Sequence, residues 1–300
     1  MADNSKIVMG PNQWGKAEVR LVHINHNTAR HEIEDVKITS RLHGDLDAAH
    51  MAGDNAHMTP TDTQKNTIFA FAKDGIGSIE EFLIRLGKHF VALGPIAGGR
   101  WDAEQYSWSR ITVDGAGHEH SFVRSGTETR TTAVTISDEG ETFVVSGLRD
   151  LVVLKSGGSQ FTGFPVDQYT TLQEATDRIL ATSVTARWRY TTNELDFNAT
   201  FEDVRDTLLE VFATHYSYSL QNSLYEMGKR VLEKHPEIAE IKFSMPNKHH
   251  FVVDFEPFGL ENDNEVFFAA DRPYGIIEGT VLREGASTAP AAWEGIAGFC

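Results

Sequence analysis

The chain has 300 residues, 40% hydrophobic and 23% charged, with 27 Lys and Arg against 43 Asp and Glu for a formal net charge of −16. That suits a folded protein with one large core or two joined ones, and the acidic balance argues against a nucleic-acid groove or an anionic membrane surface as partner. The single cysteine, Cys300, argues against a disulfide scaffold, a Cys-based zinc site and a papain-like nucleophile. No apolar run approaches membrane-spanning length. The N-terminal Met-Ala-Asp-Asn-Ser-Lys lacks the charged-then-apolar pattern of a secretory signal, and the chain ends Gly-Phe-Cys rather than in a peroxisomal Ser-Lys-Leu. Cytoplasm is therefore the expected compartment.

Residues 16–26 alternate, with Ala17, Val19, Leu21 and His23 on one face, and predict a strand. Residues 30–42 predict a second strand whose alternation slips near Asp35, followed by a loop rich in Asp, Gly and His over 44–58. Thr61 and Gln64 have capping-box spacing, which opens a predicted helix to about residue 73. Ser78 and Glu81 repeat the device ahead of Ile79, Phe82, Leu83, Leu86, Phe90 and Leu93 at helical spacing. Residues 101–113 return to strand, Asp114-Gly115 is a turn, and 118–124 pair back.

The second half repeats the order. Residues 131–136 and 143–154 predict strands joined by a turn at 138–140, then a capped helix from about residue 171 that carries Arg178. An alternating strand follows at 184–190. Thr200 is the expected cap of a helix with Phe201, Val204, Leu208, Val211 and Phe212 inside, which breaks at 216–219. A further helix carries Leu220, Leu224, Met227 and Val231, and strands follow at 241–245, 249–255, near Val266 and at 276–282. Each half thus reads strand, strand, helix, helix, strand, strand. That is an α+β class, with antiparallel strands and helices segregated to one face. The expected limits are 14–128 and 129–284, with a tail of small residues over 285–300. No Gly-rich phosphate loop stands at a strand-to-helix turn, which disfavours a doubly wound nucleotide-binding fold. A duplicated sheet leaves open edges, so an oligomer is expected.

Residues 151–180 are the most informative stretch. A buried-looking strand ends in a Gly/Ser loop with Phe161 and Phe164, and Arg178 follows. An aromatic face and a guanidinium fork together make a slot for a planar polar ring. Three further spots accompany it: Trp14-Gly-Lys16, the stretch from Pro60 through Thr61 and Asp62 to Thr67, and Met245-Pro-Asn-Lys-His249. These four motifs, in this order, resemble the urate oxidase (uricase) family of the tunnelling fold, over about residues 16–282. The resemblance implies tandem ββααββ units and a homotetramer enclosing a tunnel, with active sites between subunits. It also implies oxidation of urate by O2 to 5-hydroxyisourate and H2O2 with no metal or flavin. By motif, Lys16 and Thr61 look like the catalytic pair with His249 near them. Phe161 looks like the ring-stacking residue, and Arg178 with Gln221 the clamp on the purine edge. Asp62 and Leu220 look like backbone contacts to substrate, and Asn247 like the residue beside the oxygen or water position. The chain departs from the family at Gly157-Gly158, where a Ser/Thr-rich loop is usual, and at Leu220, where some relatives carry Val.

Each residue also has a blander explanation. Thr61 with Gln64 is accounted for by helix capping, and Lys16 at a strand start by solvation. His249 shares a predicted face with Phe251, Val253 and Phe255, as a hydrogen-bonded core histidine does. Phe161 can plug a loop beneath Phe164, and Arg178 can pair with Asp177 or Glu174. His118 and His120 share one strand face, as two metal ligands would, but lack an evident third ligand and read as structural; the histidines of 43–57 read as incidental. Two other functions stay open: another tunnelling-fold enzyme, such as a zinc-dependent pterin-pathway hydrolase or a reductase, and a purine-binding oligomer without turnover.

Overall fold

The computed structural model describes residues 7–299. The N-terminal hexapeptide and the Cys300 thiol, both used above, lie outside the described residues. The chain divides into two compact units. The first holds the chain through Gly126 together with Arg130–Ser146 and Ala289–Glu294; the second holds Thr127–Thr129, Gly147–Thr288 and the chain from Gly295 on.

In the first unit the elements run β1 (Trp14–Asn25), β2 (Glu32–Gly44), α1 (Asp47–Ala52), α2 (Thr61–Ala72), α3 (Ile79–Val91), β3 (Ile96–Gln105), β4 (Trp108–Val113), β5 (Ala116–Arg124) and β6 (Thr129–Ile136). Strand β7 (Thr142–Lys155) starts in this unit and continues into the second from Gly147. Strands β1, β2, β3 and β6 pair antiparallel in that order, and β4–β5 form a separate hairpin. The strand expected over 101–113 is therefore two strands. They part at Tyr106, whose N–H donates to the Asp35 carbonyl at 2.9 Å, while the Trp108 indole donates to the buried Asp35 carboxylate at 2.8 Å.

Helix α3 is amphipathic and buries Ile79, Phe82, Leu83, Leu86 and Phe90. Phe90 stacks on the fully buried Trp101, rings 9° from parallel. At Gly87 a Cβ would come within 2.8 Å of Ile136 and 3.0 Å of Trp101, so only glycine lets helix and sheet approach this closely. Glu80, on the same helix and fully buried, accepts from Arg130 at 2.7 Å and from Ser146 Oγ at 2.5 Å. Removing one member of such an enclosed pair leaves a buried charge uncompensated.

The second unit carries β8 (Leu180–Tyr190), α4 (Phe197–Thr214), α5 (Leu220–Lys234), β9 (Ile238–Ser244), β10 (Asn247–Val252), β11 (Phe267–Gly275) and β12 (Glu278–Leu282). Strand β8 is flanked by β7 and by β9 and β10, β10 pairs β11, and β12 pairs β9. Under α4, Trp188 lies 5.9 Å from Phe201 and donates to the Tyr190 hydroxyl at 2.8 Å. Under α5, the space a Cβ on Gly228 would need is taken by Val281 and Phe243.

Three further local expectations fail, each for a stated reason. The N-cap of α2 is Pro60, not Thr61, and it makes no side-chain cap bond. The capping box dissolves because Gln64 turns into the core and accepts from Ser40 Oγ instead. The cap of α4 is Asp196, which accepts from Ala199 N–H, so Thr200 lies inside the helix. No helix forms near residue 171. Asp167 and Thr170 close a side-chain turn, and Phe161 and Ala175 exchange backbone bonds of 2.8 and 3.1 Å, which hold the segment extended. By contrast Ser78 caps α3 as expected, accepting from Glu81 N–H and donating to its carboxylate.

Candidate active site

Lys16 owes its direction to a bulge. On β1, Lys16 pairs with Ser40 and Val19 with Ile38, so Ala17 and Glu18 together oppose Thr39. Glu18 takes a φ of 57° and its N–H donates to Thr39 Oγ1 at 3.0 Å. The extra residue reverses the strand's parity. Lys16 therefore joins Val19, not Glu18, on the face covered by α2, and Ala17 is left exposed rather than aligned with Val19. The Trp14 indole donates to the Thr59 carbonyl at 2.8 Å and ties the strand start to the loop ahead of α2.

Thr61 and Asp62 are the first two residues of α2 and are exposed. Because Pro60 offers no capping oxygen, the N–H groups of this first turn face outward and the Thr61 hydroxyl is uncommitted among the described residues. Lys65, bonded to Asp62 at 2.5 Å, holds that carboxyl below the usual range, and the positive charge of Lys16 adds to the effect. Lys16, Thr61 and Asp62 thus gather at one place in the first unit.

The remaining candidates lie in the second unit. Phe161 stacks on Phe164 at 5.1 Å and 15°, and the Arg178 guanidinium sits 5.3 Å from the Phe161 ring centre. Arg178 N–H donates to the Ser159 carbonyl at 3.0 Å, which fixes its backbone. Among the described residues its side chain has no ion pair, and its Nε is buried without a partner. The pairings open to it are not made: Glu174 accepts from Gly163 N–H at 2.7 Å, and Asp177 faces Gly157. Burial accordingly pushes the Arg178 pKa down. In a chain of net charge −16, a desolvated cation over an aromatic face has the chemistry to hold an anionic ring.

Asn247 pairs with Thr182 across β10 and β8, and that register brings His249 toward the residues preceding β8. Burial, then the charge of Arg178, then His250 lower the His249 pKa below its ordinary value, which favours the neutral imidazole. Its ring stacks 5.8 Å from Phe251 and, among the described residues, has no hydrogen-bond partner. Among the described residues the ring therefore makes no hydrogen bond of the kind a core histidine makes.

Leu220 and Gln221 open α5, Leu220 buried and Gln221 exposed. Their position follows from a clip that sequence reasoning missed. Ser217 accepts from Gln160 N–H at 2.8 Å and donates its own N–H to the Gly158 carbonyl at 3.0 Å. Ser223 Oγ and the Ser219 carbonyl hold the Ser217 hydroxyl. The start of α5 is thereby bonded to the Phe161 loop. A run of serines flanking a helix break was the only available signal. The Lys155 ammonium further secures the loop, donating at 2.6 Å to the His215 carbonyl.

His118 and His120 lie 4.6 Å apart, with His31 5.8 Å from His120. Among the described residues no group of three or more His, Cys, Asp or Glu is arranged to hold a metal ion, and no helix is long and apolar enough to cross a membrane.

An antiparallel α+β architecture with a guanidinium over an aromatic face fits a class of proteins, those that could seat a flat, anionic ring. Comparison with known proteins narrows it. The uricase family model matches residues 12–135 and 144–278. The uricase of Arthrobacter globiformis is 58% identical over 99% of this chain and 97% of its own, and that of Dictyostelium discoideum 38% identical over 91% and 96%. A crystal structure of the Arthrobacter globiformis uricase superposes with a TM-score of 0.91 at 58% identity, over 95% of this chain and 98% of that one. Urate oxidase from Bacillus sp. TB-90 shares the fold at a TM-score of 0.80 and 24% identity, over 91% of this chain and all of that one. The chain belongs to the uricase family.

Proposed function

We propose that the chain oxidises urate with O2 and water to 5-hydroxyisourate and H2O2, using no resident cofactor. The uncompensated Arg178 guanidinium over Phe161 is the observation that carries this reading. Urate is planar and anionic, with a dense edge of N–H and C=O groups. Arg178 offers parallel donors to that edge and Gln221 both donates and accepts, while Phe161 takes the ring face. The outward N–H groups at Thr61 and Asp62, and the backbone of Leu220, serve as further polar contacts.

Lys16 and Thr61 form the proton relay. The Thr61 hydroxyl passes a urate proton to the Lys16 amine, and neutral His249 tunes the relay. The electron-rich urate dianion then gives two electrons to O2. A peroxide forms at C5 and leaves, with two protons, as H2O2. Water adds at the same carbon to give the hydroxylated product, and Asn247 stands beside the position taken by O2 or that water. All electrons come from urate, so the balance closes without a metal or flavin.

The relay residues lie in the first compact unit and the ring seat in the second. In this reading a neighbouring chain of a homotetramer supplies Lys16 and Thr61 to each ring seat. Repeat limits at 14–128 and 129–284 belong to the same proposal.

Purified protein treated with chelator should consume urate, take up O2 and release equimolar H2O2. No turnover at saturating urate would sink the proposal. Turnover that requires added metal would redirect it to the zinc-dependent alternative. Tight binding of a urate analogue without O2 uptake would leave only the binding-oligomer alternative.

A further inference from the structure

Gln64 is fully buried, on a helix that packs on β1. Its Oε1 accepts from Ser40 Oγ at 2.9 Å, while its Nε2 is buried with no partner among the described residues. Leaving a buried donor unpaired costs about 1–3 kcal/mol. A leucine here would fill similar volume without that cost, so the amide needs a reason.

The ladder supplies one. Ser40 is the direct partner of Lys16. Opposed residues leave the sheet on one face with Cβ atoms about 4.5–5.5 Å apart. The same face of β2 otherwise presents buried Val36, Ile38 and Leu42. From α2, the charged groups near Lys16 are Asp62 and the Lys65 bonded to it. The amide of Gln64 is thus held by Ser40 at the root of the Lys16 side chain, within an apolar surround.

We propose that Gln64, anchored by Ser40, is a positioning residue for Lys16, its free amide N–H donating to the lone pair of the neutral Lys16 amine. An ammonium has no lone pair and cannot accept, so the contact favours the unprotonated lysine that a base requires and fixes where its nitrogen stands. This inference rests on the reading of Lys16 as the base.

Steady-state kinetics of four variants test it. Gln64→Leu should lower kcat about tenfold or more while KM and the affinity for a non-reacting urate analogue stay within about twofold, because misplacing a catalytic group acts on the chemical step. Ser40→Ala with Gln64→Leu removes both partners together and restores folding stability if the single variant loses it, and kcat should stay low. Gln64→Glu replaces a donor by an acceptor that favours the ammonium, so the acid limb of its kcat–pH profile should move to higher pH. Wild-type kcat in the double variant, or an unmoved limb in Gln64→Glu, would overturn the assignment of Gln64 while Lys16→Met remains inactive. A fully active Lys16→Met would instead overturn the role of Lys16, and this inference with it.

Discussion

The two groups of site residues are built in opposite ways. Lys16, Thr61 and Asp62 stand on regular elements, a bulged strand and the first turn of a helix, and the Asp62 carboxylate is answered by Lys65. Phe161 and Arg178 stand on an irregular segment pinned by backbone bonds to the α4–α5 connection, and Arg178 is desolvated with no counter-charge among the described residues. Regular elements hold a proton donor and acceptor in place, which acts on the chemical step. A desolvated cation over a ring acts on the binding of an anion. The first group should therefore govern turnover and the second affinity.

The sharpest way to break that contrast is Lys16→Met. The kcat for urate should fall about 10²–10⁴-fold, the range a positioned acid–base group contributes, with analogue affinity near that of the parent. A matching loss of affinity would erase the distinction. Arg178→Ala should weaken analogue binding by about 2–5 kcal/mol in titration calorimetry, as truncating one partner of a desolvated charge pair does. If both variants merely dissociate the oligomer in analytical ultracentrifugation, they are interface residues and the site assignment is wrong.

A smaller effect probes the scaffold of the second group. Ser219 caps α5 by accepting from Asn222 N–H at 3.1 Å. Ser219→Ala should cost about 1 kcal/mol in urea unfolding. It should raise KM more than it lowers kcat, because it loosens the start of α5 where Gln221 stands.

The smallest effect concerns His249. Burial first, and then Arg178, hold its folded pKa below the ordinary 6.5. The unfolded chain therefore binds the extra proton first as pH falls. The associated stability is complete above about pH 6.5 and is lost as pH drops through the folded value. Urea unfolding from pH 7.5 to 5 should show this loss in the parent and less of it in His249→Phe. Arg178→Ala should shrink it as well, since one cause of the shift is then gone.

The fold was legible wherever pattern and local chemistry agreed. Helix α3 announced itself by spacing and by Ser78, and the α4–α5 break by residues 216–219. Legibility failed where a side chain had two possible partners. Thr61 and Gln64 match a capping box, yet burial against β2 won Gln64 for Ser40. The segment near residue 171 has helix-like polar spacing, yet bonds to Phe161 and turns at Asp167 kept it extended.

Sequence alone determined the α+β class, the family, and the residue types of the candidate site, because periodicity and motif order are properties of the chain itself. Tertiary structure decided which way those residues face. Lys16 reaches the face covered by α2 only because a bulge reverses the parity of β1. Among the described residues Arg178 has no counter-charge, because Glu174 and Asp177 are turned toward the backbone of Gly163 and Gly157. Both outcomes depend on hydrogen bonds between segments distant in sequence, and no local pattern encodes which of several equivalent partners will be in reach.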